Sequence, residues 1–103
     1  MSAVRANGVE NAVLVEQVDR VLVITLNRPT QLNSINAALA DHLAAAIVRL
    51  ETDPHLSVGV IASTGRAFCS GMDLKAFAKG EDISAFTRFI RDGSTKPLTQ
   101  AVR

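Results

Sequence analysis

Apolar positions change their spacing several times along this chain, and each change marks an element. Val13 to Val18 is apolar up to Glu16 and Gln17, Asp19-Arg20 interrupts, and Val21 to Leu26 resumes with β-branched residues. Two strands joined by a tight turn account for this pattern. The second run is apolar at both alternating sets of positions, which predicts a strand covered on both faces. Asn27-Arg28-Pro29 stops it, because Pro29 has no N–H to give to a ladder. Polar Gln31, Asn33, Ser34 and Asn36 lead into a helix, with Ser34 or Asn36 as its N-cap. Leu39, Leu43, Ile47 and Leu50 recur at steps of four, four and three, one apolar stripe of a helix. Ala44 to Ala46 favour helix and allow close packing. Asp53-Pro54 ends it, and residues 57–63, SVGVIAS, read as a third, buried strand.

A loop, Thr64-Gly65-Arg66, follows, and then the segment Ala67 to Lys75. A second helix is expected over Ile83 to Arg91, with Phe86, Phe89 and Ile90 on one side and Gly93 as its stop. Lys96-Pro97 opens a further strand. Strands alternating with helices predict an α/β layer structure with helices covering a sheet. Residues 1–11 are polar and contain Gly and Asn, and are expected to fray. Without repeats, low-complexity tracts or linkers, the 103 residues read as one small domain or part of one.

Composition narrows the function classes. The net charge of +1 comes from scattered Lys and Arg, whereas a nucleic-acid surface needs clustered cations. The single cysteine, Cys69, cannot close an intrachain disulfide, which fits a reducing compartment. The N-terminus lacks the apolar core of a secretory signal, and no run reaches the ~18 apolar residues of a membrane span. The expectation is a soluble cytoplasmic protein with neither nucleic acid nor membrane as partner.

Residues 64–77, TGRAFCSGMDLKAF, carry the candidate chemistry. A strand ends at Ser63, the chain turns through small residues, and Gly71 precedes a short helix. Amides at a helix start lack intrahelical partners, and the helix dipole adds positive character there. A carbonyl oxygen placed at such a point gains as negative charge develops on it, which is what an oxyanion hole requires. Gly71, without a Cβ, lets a ligand approach the backbone. The same composition also describes an ordinary strand-to-helix turn with Asp73 as its cap, so the residues alone leave both readings open. Cys69 reads as a small buried hydrophobe with no histidine to activate it. His42 on the helix and His55 in a turn belong to no metal-ligand cluster, so no metal is expected. Lys75, Lys79, Glu81-Asp82, Arg88 and Arg91 read as surface charge.

Two spaced segments resemble the crotonase (enoyl-CoA hydratase/isomerase) superfamily. One is Ile24-Thr25-Leu26-Asn27-Arg28-Pro29 with Leu32-Asn33-Ser34-Ile35-Asn36; the other is Ala67-Phe68-Cys69-Ser70-Gly71-Met72-Asp73-Leu74-Lys75. Their separation by one helix and one strand is also similar, and the resemblance runs from about Val13 to Pro97. It implies the superfamily's spiral of β-β-α units, with residues 1–103 as the N-terminal part of one truncated domain of that kind. It implies that the Met72 backbone N–H is one of two donors to a thioester oxygen. Ser70, Gly71, Met72, Asp73, Leu74 and Lys75 would then line the acyl-CoA site, with backbone groups reaching the adenine and pantetheine. Gln31 and Leu32 would neighbour the nucleotide end. Met72 is larger than the alanine often found there, but any residue except proline keeps the N–H.

The resemblance also implies that the second donor and the acid/base glutamates lie downstream of Arg103. The ending Thr99-Gln100-Ala101-Val102-Arg103 departs from the apolar strand of the family pattern. Coenzyme A is part of the substrate, no other cofactor is implied, and the full-length protein is expected to be a homotrimer or hexamer. The leading expectation is an enoyl-CoA hydratase, with double-bond isomerisation next. A catalytically inactive acyl-CoA-binding or assembly fragment is the competitor from another class, and an unrelated α/β domain is a third option.

Overall fold

The computed structural model describes residues 11–71, 73–82, 84, 88, 94 and 96–100. Strand β1 (Val13–Val18) pairs antiparallel with β2 (Val21–Leu26), Val18 opposite Val21. Asp19, in the two-residue turn, takes φ 53, a left-handed conformation that a short polar side chain tolerates. β2 runs into a single turn of 3-10 helix at Pro29–Gln31, and then into α1 (Ala37–Thr52). α1 is the crossover that lets β3 (Val58–Ser63) pair parallel with β2. A five-residue helix, α2 (Leu74–Ala78), follows, and β4 (Leu98–Gln100) pairs parallel with β3. The sheet order is β1-β2-β3-β4. The α/β expectation and the first β-β-α unit are therefore present. The helix expected over Ile83 to Arg91 lies largely outside the described residues.

Asn36 caps α1: its side-chain Oδ1 accepts from the Leu39 N–H at 3.0 Å. Ser34, the other candidate cap, is buried and bonded elsewhere. Asp53 closes the helix, its N–H on the Arg49 carbonyl. The stripe Leu39, Leu43, Ile47 and Leu50 is buried as its spacing requires, and it joins Leu22, Ile24 and Leu26 of β2 in one core cluster. Burying each such side chain contributes about 1.5–3 kcal/mol. The alternate face of β2, Val21, Val23 and Thr25, is only half-buried. That corrects the expectation of a strand enclosed on both sides: among the described residues, α1 covers one face of β2. Below the hairpin turn, Arg20 Nε donates to Ser57 Oγ at 2.7 Å and ties the α1–β3 connection to the sheet.

The parallel register of β2 and β3 decides where chemistry can sit. Leu26 lies opposite Ser63, so both strands end together and both following segments leave from one edge. In open α/β sheets, ligands bind at the carboxyl ends of such strands. The two sequence segments singled out above are these two exits.

Candidate active site

Asn33 joins the exits. It is fully buried, and its backbone φ is +54, which asparagine tolerates better than most residues. Its Oδ1 accepts from the Arg28 N–H at 2.6 Å, and its Nδ2 donates to the Thr64 and Ala67 carbonyls, both at 2.8 Å. Both amide hydrogens are thereby used. Leu32 beside it also holds φ 53, a strained choice for leucine that costs about 1–2 kcal/mol. Such strain persists only where the surroundings impose it, and here they do. Close approach completes the junction: Gly65 sits at φ +78, and a Cβ there would lie 2.8 Å from Pro29 Cβ.

The second exit is then laced to the first by backbone bonds. The Ser70 N–H donates to the Leu32 carbonyl at 3.0 Å, the Ile35 N–H to the Gly71 carbonyl at 2.7 Å, and the Asp73 N–H to the Ile35 carbonyl at 2.8 Å. Gly71 adopts φ +101, with nothing within 4 Å of where a Cβ would stand. Cys69 and Phe68 pack against the core from this loop.

Asp73 divides its carboxylate between two tasks. Oδ1 accepts from the Lys75 and Ala76 N–H groups at 3.0 and 3.2 Å, capping α2. Oδ2 pairs with Arg28 Nη2 at 3.0 Å, and both side chains are largely shielded. Arg28 Nη1 meanwhile donates to the Ser34 carbonyl and lies 3.3 Å from Ser34 Oγ. The Arg28 hydrogen bond, then the Ala76 amide, hold the Asp73 pKa below the ordinary aspartate value. Asp73 is thus an engaged anion rather than a base in waiting. Beyond α2, Glu81 Oε1 accepts from the Ala37 N–H at the start of α1, at 3.1 Å.

A match to the family model described as "Enoyl-CoA hydratase/isomerase" covers residues 16–101 and includes both exits. The chain belongs to this family. Two crystal structures of family members overlay on it closely. An enoyl-CoA hydratase from Mycobacterium marinum has 50% identity and a TM-score of 0.86 over 91% of this chain and 38% of that one. An enoyl-CoA hydratase from Mycobacterium tuberculosis H37Rv has 47% identity and a TM-score of 0.83 over the same shares. Among curated relatives, "Probable enoyl-CoA hydratase 1, peroxisomal" of Arabidopsis thaliana is 37% identical over 81% of this chain and 29% of its own length. The chain therefore spans about a third of the proteins it resembles. Its sheet and helix form part of the crotonase fold.

Within this family member, the candidate site residues fall into three groups. Leu32, Ser70, Gly71 and Asp73 are brought together by the bonds above. Gln31, Leu74 and Lys75 are solvent-facing around them, Leu74 77% exposed. Met72 lies outside the described residues, between two that are fixed. One part of the sequence argument is corrected. The amides at the start of α2 are not free, because Asp73 takes those of Lys75 and Ala76, and a five-residue helix has little dipole to offer. Arg28 and Asn33 are the residues that sequence reasoning missed. A buried asparagine after an Arg-Pro turn was the available signal, but its partners are 31 and 34 residues away. Among the described residues, no three His, Cys, Asp or Glu side chains converge as metal ligands. A groove between β1 and α1, lined by Val13, Val15, His42, Ala46 and Arg49, involves none of the candidate site residues.

Proposed function

We propose that the chain presents the Met72 amide to the carbonyl oxygen of a coenzyme-A thioester, as one oxyanion-hole donor of an enoyl-CoA hydratase. The observation that carries this is the bracket around Met72. Ser70 and Asp73 have their amides committed to Leu32 and Ile35, and the Gly71 carbonyl is held by the Ile35 N–H. Neighbours held on both sides, with open space at Gly71, suit a segment that must meet an ester without reorganising, the condition under which a donor stabilises developing charge. Family membership supports the thioester, and the hydratases among its relatives support water addition through an enolate. Double-bond isomerisation uses the same enolate and is the second reading. Ser70, Leu74 and Lys75 would line the acyl-CoA path, with Gln31 and Leu32 toward the nucleotide. Coenzyme A enters as part of the substrate, and the reaction proposed is polarisation plus proton transfer.

Asp73 and Glu81, the carboxylates at either end of α2, hold structural bonds, so the proton-transfer groups are sought elsewhere in the whole protein. The 103-residue chain alone is expected to bind enoyl-CoA without hydrating it. The test uses crotonyl-CoA labelled with carbon-13 at the carbonyl, and infrared difference spectra of the bound state. Met72→Ala keeps the N–H and should keep the lowered carbonyl stretch. Met72→Pro removes the N–H and should return the stretch to its free value. Equal loss in both variants while folded would show that the side chain matters, and would sink the backbone role.

A further inference from the structure

We propose that the outer edge of β1, with the groove beside it, is a docking site for an extended acidic and apolar segment of a partner protein, taken up as an added strand. Among the described residues, β1 ends the sheet and has β2 as its neighbour on one side alone. The two-residue turn brings Val18 opposite Val21, and the pair that closes such a hairpin exchanges both backbone bonds. Bonded pairs alternate along an antiparallel ladder, so Leu14, Glu16 and Val18 turn their backbone groups toward β2. The bond from the Asn27 N–H to the Ala12 carbonyl, at 2.8 Å, keeps the same alternation. Val13, Val15 and Gln17 therefore turn theirs outward, where no described residue takes them. Such a row of donors and acceptors is a template for one more strand.

The groove gives that edge its selectivity. Val13 and Val15 line it from β1, and Ala45, Ala46, His42 and Arg49 from α1, around a volume of about 290 Å3. Val13, Val15 and Gln17 share the sheet face that α1 covers. A residue paired to one of them would thus aim its N–H at β1 and its side chain over the groove. Gln17 Oε1 accepts from Arg49 Nη2 at 3.2 Å, which puts the guanidinium at the Gln17 end and uses one of its five donors. No carboxylate lines the groove, and Glu16 lies on the opposite face of the strand. The chemistry selected is an aliphatic side chain opposite Val15 and a carboxylate opposite Gln17. A second copy of β1, paired about Val15, would instead bring its Val13 to Arg49 and leave that cation without an anion.

The experiment titrates the 103-residue chain with blocked peptides of alternating valine and threonine, and follows the amide shifts of Val13, Val15 and Gln17. One peptide carries aspartate two residues from its central valine, and its counterpart carries lysine there. The aspartate peptide should bind and move all three amides, and the lysine peptide should bind about tenfold more weakly. Methylating the peptide amides that face β1 should lower affinity by about tenfold or more. Methylating the alternate amides, which face away, should leave it unchanged. Arg49→Ala, shown to be folded by circular dichroism, should bring the aspartate and lysine peptides to equal affinity. A wild-type chain whose β1 amides ignore the aspartate peptide, or equal losses from the two methylation patterns, would overturn strand addition. Equal affinity for both peptides in the wild type, or a preference that survives Arg49→Ala, would overturn the acidic chemistry assigned to the partner. Sedimentation showing that the chain alone self-associates, with the same three amides moving, would give the edge to a second copy and overturn the partner segment.

Discussion

The face between α1 and the sheet and the junction of the two strand exits are both buried, yet they are held by opposite means. On the first, Leu39, Leu43, Ile47 and Leu50 meet Leu22, Ile24 and Leu26. Their attraction scales with area and has no direction, so small repacking is tolerated. On the second, Asn33, Arg28 and Asp73 meet backbone carbonyls and amides, and Arg28 meets Asp73, at 2.6 to 3.2 Å. Those bonds have direction, and an unmet partner costs more than a met one returns. The apolar face supplies stability, while the polar junction fixes orientation. A loop that must offer one amide at one angle needs the second kind of support.

The largest effect expected is from the apolar side. Leu50 is fully buried, and Leu50→Ala should cost about 3–5 kcal/mol, a large part of what a domain of this size has. Urea titration measures it, and loop amides should lose exchange protection in step with the rest of the chain. The polar counterpart is Asn33→Asp. The shape is kept, but the Nδ2 amide, which gives both its hydrogens, is exchanged for one carboxylate oxygen facing the Thr64 and Ala67 carbonyls. The expected cost is about 2–3 kcal/mol, with protection falling at Ser70 and Asp73 before the helix α1. If both variants weaken every amide in proportion, the two regions form one cooperative unit and the contrast drawn between them is wrong.

How much of this was legible in the sequence follows from the same contrast. The strands, α1 and its stripe were readable because area-driven burial leaves a period, two for strands and near four for the helix. The Asn36 cap was readable since its partner, Leu39, is three residues on. Asp73 was recognised as a cap on the same local grounds. Its bond to Arg28, 45 residues away, has no periodic trace. Asn33 passed as one polar residue among several before a helix, because only the parallel register of β2 and β3 reveals that its carbonyl partners leave the same sheet edge. The second face of β2 was misjudged because apolar residues at alternate positions indicate what a strand could bury, and not what is there to cover it. The resemblance to the hydratase family supplied the role of Met72, which no spacing could.

The smallest effect concerns pH, and it tests the polar region alone. The Asp73 pKa is lowered from 3.8 by the Arg28 hydrogen bond first and by the amides of Ala76 and Lys75, against the opposing effect of its burial. A carboxylate with a depressed folded pKa contributes stability that is complete above its unfolded value. That contribution is lost as the pH falls below 3.8 through the lower folded value. Asp53 and Asp82 are lowered too, by bonds to His55 and Ser84, so global acid unfolding will not isolate Asp73. The difference between wild type and Asp73→Asn will. Exchange protection at Ser70 and Ala76 should be flat from neutral pH to about 5 in both chains. Below that range it should fall in the wild type and stay flat in Asp73→Asn until the whole chain unfolds. An acid-labile loop in the asparagine variant would assign the sensitivity to another carboxylate, and Arg28 would then have no anion to hold at this junction that matters to it.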